Sequence, residues 1–176
     1  MQSGEYLYSL CDKCCVLKLV GSLTYSESGD LDGFIEKLFE ASSAPDVIVD
    51  LSEAKSIDST NLGLLARIAR ASLDQKQRKT LLVSPRPDIN RVLKSVGFDG
   101  VFDIVRSSEA PGGGMDKLPH RDISDQELAG ILLKVHRTLM ELNESNRAVF
   151  KNVVRYLEKE IEAPDTAAPT KKRGLI

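Results

Sequence analysis

The stretch Val47 to Leu65, VIVDLSEAKSIDSTNLGLL, constrains this chain more than any other. Val47-Ile48-Val49 is an apolar run suited to a buried strand, and Leu62 and Leu65 are spaced for a helix. Between them, Ile57-Asp58-Ser59-Thr60-Asn61 puts two hydroxyls and a carboxylate where a strand hands over to a helix. Junctions of this kind present polar side chains together with free backbone N–H groups, on a surface held by the elements either side. One capping side chain is enough to start a helix, yet three polar residues crowd this turn.

Around that junction the pattern is α/β. Glu5 to Leu10 and Cys15 to Val20 alternate apolar and polar residues across a short polar turn, which predicts an antiparallel hairpin whose second strand ends at Gly21. Leu31, Phe34, Ile35, Leu38 and Phe39 form the stripe of an amphipathic helix, and Pro45 then forces extended chain into the strand VIVDL. The helix beginning near Ser59 turns Leu62, Leu65, Ala66, Ala69 and Leu73 to one face. Thr80 to Val83 is a short strand stopped by Pro85 and Pro87. Another helix begins at Asp88 and ends at Gly97, and Phe98 to Val105 returns to extended character. Helical crossovers between the later strands favour parallel pairing, so a mixed sheet with helices packed on it is expected over residues 5–106.

Beyond residue 106 the composition changes. Residues 107–123, with Pro111 and Gly112-Gly113-Gly114, read as a flexible linker. Ser124 and Glu127 make a capping box before a stripe of Leu128, Ile131, Leu132, Val135, Leu139 and Leu142. After the polar break Asn143 to Asn146, a second stripe runs through Val149, Phe150, Val153, Val154, Leu157 and Ile161. Residues 124–162 are therefore a C-terminal helical hairpin, too small to bury both stripes alone. It must pack on the first domain, on a second copy or on another protein. Residues 163–176, with two prolines and Lys171-Lys172-Arg173, are expected to be a disordered tail.

Several function classes fall away. The 24 basic and 26 acidic residues nearly cancel, which gives no electrostatic reason to expect nucleic acid or an anionic membrane. No apolar run approaches the ~20 residues of a membrane span, and the N-terminus lacks a basic, then apolar, leader, so a cytoplasmic protein is expected. The three cysteines, Cys11, Cys14 and Cys15, lie in CDKCC, far from His120 and His136; they read as small apolar residues beside a hairpin turn at Asp12-Lys13 rather than as metal ligands or a disulfide framework. Phosphate-cradle motifs are missing, and Asp50, Glu53 and Asp58 have no partner motif for a metal. Neither histidine stands at a motif spacing from a nucleophile, and both read as ordinary surface residues. Catalytic, metal and cofactor residues are accordingly expected to be none, and a hydrolase with Ser59 as nucleophile ranks last for want of a base.

The segment Ile57 to Leu65, behind the strand VIVDLSEAKS, resembles the phosphorylation loop of STAS domains, the anti-sigma-factor antagonists. Gly97-Phe98 before VFDIV resembles a later turn-and-strand segment of that family, and the resemblance covers residues 5–106. Asn61 stands where the family usually has glycine, a mild departure because Asn tolerates unusual backbone angles. The second half, HRTLMELNESNRAVFKNVVRYLE, resembles the C-terminal extension of antagonists that work beside a response regulator bearing a PP2C-type phosphatase domain, in a general-stress system. The resemblance implies a non-enzymatic regulator, phosphorylated on Ser59 with Thr60 as the alternative. Asp58 would position the hydroxyl, and Asp58, Ser59, Thr60, Asn61 and Gly63 would form the partner-binding loop. An anti-sigma factor or serine kinase would be captured by the unphosphorylated form, released on phosphorylation, and the phosphatase would reset the chain. A scaffold that forms a homodimer through the C-terminal helices is the alternative reading.

Overall fold

The computed structural model describes residues 4–41, 43–109 and 113–163. The expected tail from residue 164 onward lies outside them. Strands β1 (Glu5–Cys11) and β2 (Cys14–Leu23) form the expected antiparallel hairpin. There follow α1 (Ser28–Glu40), β3 (Asp46–Ile57), α2 (Ser59–Lys76), β4 (Thr80–Val83), α3 (Pro87–Ser95) and β5 (Phe102–Val105). β2, β3, β4 and β5 pair in parallel, each crossover carrying a helix, as chain connectivity requires of parallel neighbours. The sheet order is β5-β4-β3-β2-β1-β6, where β6 (Asp116–Lys117) pairs antiparallel with β1. The α/β class with a mixed sheet and packed helices is therefore the observed one, followed by two helices in contact, α4 (Asp125–Met140) and α5 (Glu144–Glu162).

Alternation explains which face is the core. Leu17, Leu19 and Leu23 of β2, with Val49 and Leu51 of β3, are buried together with Leu31, Leu65, Ile68, Ile89 and Leu93 of the helices. On the other face Lys18 lies between Asp50 and Glu53, 3.8 and 2.6 Å from their carboxylates. A period of two sorts side chains this way, and a one-residue slip would turn Lys18 into the core.

Three sequence expectations are corrected. β2 does not end at Gly21; that residue takes a positive φ of 78° within the strand, at a shift in register, and the strand runs on to Leu23. β3 follows it, extending six residues beyond Leu51 to Ile57. The second half of the expected linker is also not loose chain. Leu118 is buried and its N–H donates to the Tyr6 carbonyl, while Asp30 of α1 accepts from the Arg121 N–H at 2.8 Å. Finally, the sulfurs of Cys11 and Cys14 are bonded across the last pair of the hairpin, so only Cys15, which is buried, behaves as the small apolar residue expected of all three. Burial pushes its thiol up to about 11.

The helical hairpin docks on the sheet domain. α4 crosses α2 and touches α1, and α5 packs on α4. Ile131, Val135 and Leu139 are buried in the same core as Leu62 and Leu65. The loop between α4 and α5 is tied down by the buried Asn146, whose Nδ2 donates to the carbonyls of Val96 at 3.0 Å and Leu139 at 2.9 Å. Of the expected α5 stripe, Val154 and Leu157 are buried, whereas Val149 and Val153 are exposed together with Tyr156.

Candidate functional site at the α2 N-terminus

The β3–α2 junction is fixed from below. Asp58 is the N-cap, its Oδ1 accepting from the Asn61 N–H at 2.9 Å, so capping is done by the carboxylate and not by either hydroxyl. Asn61 is fully buried and works as a bonding centre. Its Oδ1 accepts from the Tyr6 hydroxyl at 2.6 Å, and its Nδ2 donates to the Thr24 carbonyl at 3.1 Å and to Asp58 Oδ1 at 3.0 Å. Burial raises the Tyr6 phenol above its ordinary range, so it is a donor at any physiological pH. Asn61 is helical, with no positive φ. Its place in the loop therefore rests on its amide, not on backbone freedom.

Ser59, released from capping, sits in the first turn of α2, half-buried. Its Oγ lies 2.9 Å from His136 Nε2 on α4. The imidazole is oriented from behind: Nδ1 lies 2.7 Å from the Leu132 carbonyl, which can only accept. Nδ1 therefore carries a proton, and in the neutral imidazole Nε2 is left to accept from the Ser59 hydroxyl. The ring also packs on Phe150 of α5, with centroids 5.7 Å apart. His136 is 4% exposed, which corrects its reading as a surface residue. Its signal in the sequence was position: it lies beside Val135 on the inward side of α4, between Leu132 and Leu139.

Of the loop residues picked out in the sequence, Asp58 and Ser59 are half-buried, and Thr60, Asn61 and Gly63 are buried. Gly63 is a point of close approach between α2 and α4. A β-carbon added there would lie 2.5 Å from Val135 Cβ and 2.6 Å from its carbonyl oxygen. His120 is exposed, near Asp30, at 3.3 Å.

Bringing a histidine to Ser59 supplies the base that the sequence lacked. The pair is nevertheless built into a packed contact. The clefts of about 470, 390 and 340 Å3 are lined by other residues, and the orienting partner of the imidazole is a main-chain carbonyl rather than a carboxylate. Among the described residues, no group of three or more His, Cys, Asp or Glu side chains could hold a metal ion. No helix of the described residues is long and apolar enough to cross a membrane.

Residues 11–110, more than half of the chain, match the STAS domain family, and the chain belongs to that family. Among solved structures it is similar to the anti-sigma factor antagonist SpoIIAA in its unphosphorylated form, at 19% identity and a TM-score of 0.49, over 59% of this chain and 90% of that one. No curated protein matches the chain.

Proposed function

We propose that the chain is an anti-sigma-factor antagonist, a binding module switched by phosphorylation of Ser59. The observation that carries this reading is the division of labour at the α2 N-terminus. Asp58 caps the helix and Asn61 anchors the turn, which leaves the Ser59 hydroxyl with no structural duty inside the sheet domain. Thr60, 4% exposed, is the poorer acceptor for a kinase.

Phosphorylation would add about −1.5 to −2 charges at this position. The unpaired N–H groups of the first helical turn and the helix dipole favour that charge, so the sheet domain stays folded. The effect falls on docking. A partner that binds the free hydroxyl in a desolvated contact would have to bury a dianion beside Asp58, which costs several kcal/mol unless it is paired. An anti-sigma factor or serine kinase would then be held by the free form and released by the phosphorylated one, with a PP2C-type phosphatase, carried by a response regulator, resetting the site.

Co-purification from cells with wild-type, Ser59→Ala and Ser59→Asp chains, followed by mass spectrometry, tests the switch. Ser59→Ala should retain the partner permanently and Ser59→Asp should lose it. Equal recovery by all three chains overturns the mechanism. The alternative of dimerisation through the C-terminal helices keeps one supporting observation, the exposed Val149, Val153 and Tyr156 of α5. It predicts a dimer by light scattering.

A further inference from the structure

The hairpin covers the same surface that the proposed switch uses. We propose that the Ser59 face is shaped to receive an α-helix, that α4 is its resident occupant, and that a protein captured there must first displace α4. This rests on the reading of Ser59 as the switch residue.

The match between face and helix is specific. At Gly63 the absence of a side chain lets the α4 backbone come down onto α2, with Val135 filling the place a β-carbon would take. Ile131, Val135 and Leu139, at i, i+4 and i+8, lay one apolar ridge of α4 into the core. Beside that ridge His136 Nε2 accepts from the Ser59 hydroxyl. The face therefore reads an apolar ridge at helical spacing, flanked by one hydrogen-bond acceptor. A partner helix that offers both can replace α4 without leaving Ser59 unpaired.

The occupant is also held by contacts suited to release. Around the ridge, α4 is tied to the sheet domain by Arg70–Glu141 and Lys134–Glu36, both between exposed side chains, where screening keeps ion pairs weak. A buried polar tether, Asn146, lies at the far end of the hairpin and bonds to Val96 and Leu139 rather than to Ser59. The ridge itself is buried, so opening costs most at Val135 and Leu139, yet a hairpin docked through one helix can open without unfolding the sheet beneath it. Phosphorylation of Ser59 removes the proton that His136 accepts, so the modification also acts on the occupant.

The test uses the full chain with Ser59→Cys and N-ethylmaleimide as probe, alkylation at position 59 being read by peptide mass mapping. Ser95→Cys, on the exposed end of α3, gives the uncovered rate. The thiol introduced at position 59 should react about ten-fold or more slowly than the one at position 95, because it reacts through opening of the hairpin. Adding Asn146→Ala should accelerate alkylation at position 59 several-fold and leave position 95 unchanged. Glu141→Lys, an exposed change that leaves the core untouched, should accelerate it by a smaller factor. His136 would activate a thiol that it touches, so slow alkylation at position 59 is not explained by poor chemistry. Alkylation as fast at position 59 as at position 95, or a rate at position 59 that responds to neither hairpin variant, overturns the proposal. That failure leaves phosphorylation of Ser59 standing, since the modification is read separately on the wild-type chain. Lack of phosphorylation would instead remove the switch and leave the covering helix.

Discussion

Replacing Gly63 by alanine sets two opposite expectations against each other. In a helix whose outer face meets solvent, Gly→Ala stabilises by ~1 kcal/mol, because alanine loses less backbone entropy. Here the added methyl would lie 2.5 Å from Val135 Cβ and 2.6 Å from the Val135 carbonyl oxygen. Ordinary carbon contacts are about 3.5–4.0 Å, so α4 has to retreat by roughly 1 Å. The obstructing carbonyl oxygen and carbon are main chain, so no rotamer change clears them. Overpacking of this kind costs ~1–3 kcal/mol, and the chain can relieve it by undocking the hairpin. The loss should therefore appear in α4 and α5 and spare the sheet. Native-state hydrogen exchange at the amides of residues 131–140 should accelerate by about 5–150-fold, the equivalent of ~1–3 kcal/mol. Exchange in β3 and β4 should hold or slow. A variant stabilised by ~1 kcal/mol with unchanged α4 exchange would refute the packing described at Gly63.

Asn61→Ala removes the acceptor of the buried Tyr6 hydroxyl and the donor to the Thr24 carbonyl. Only the Tyr6 hydroxyl is stranded in the buried interior, and an unsatisfied buried polar group costs ~1–3 kcal/mol, so urea denaturation should show a loss of about 1–3 kcal/mol. Leu51→Ala, at a fully buried position in the centre of the sheet, should cost ~2–5 kcal/mol by the same assay. For His120, the hydrogen bond and charge of Asp30 raise the pKa above its ordinary value. With a raised folded value, the stabilisation is complete below the unfolded pKa of ~6.5 and is lost as pH rises through the folded one. The His120 ring signals in an NMR titration should move at higher pH than a free histidine, and Asp30→Asn should bring the midpoint down.

The hairpin, the three crossovers and the α2 start were legible because each rests on local rules: alternation, helical spacing and a capping carboxylate. What was not legible depends on long-range pairing. β3 runs to Ile57 because β2, past its irregularity at Gly21, remains beside it to Leu23. No local pattern in SEAKSI announces that partner. β6 is two residues long and exists only because β1 offers an edge. At the site, Ser59 and Asp58 were visible as chemistry, yet their division of labour required geometry. His136 was set aside because motif spacing measures distance along the chain, and 77 residues separate it from Ser59. One clue lay in α2 itself. Gly63, Leu64 and Ile68 extend its apolar surface beyond the single stripe, and all three are buried. A helix that is apolar on more than one side has to be covered from more than one side.

Phosphopeptide mapping of the chain isolated from its own cells, with intact-mass measurement of occupancy, tests the central claim most directly. One phosphoryl group on Ser59, abolished by Ser59→Ala, is the predicted result. A chain that carries no phosphate at Ser59 or Thr60 under any growth condition would contradict it.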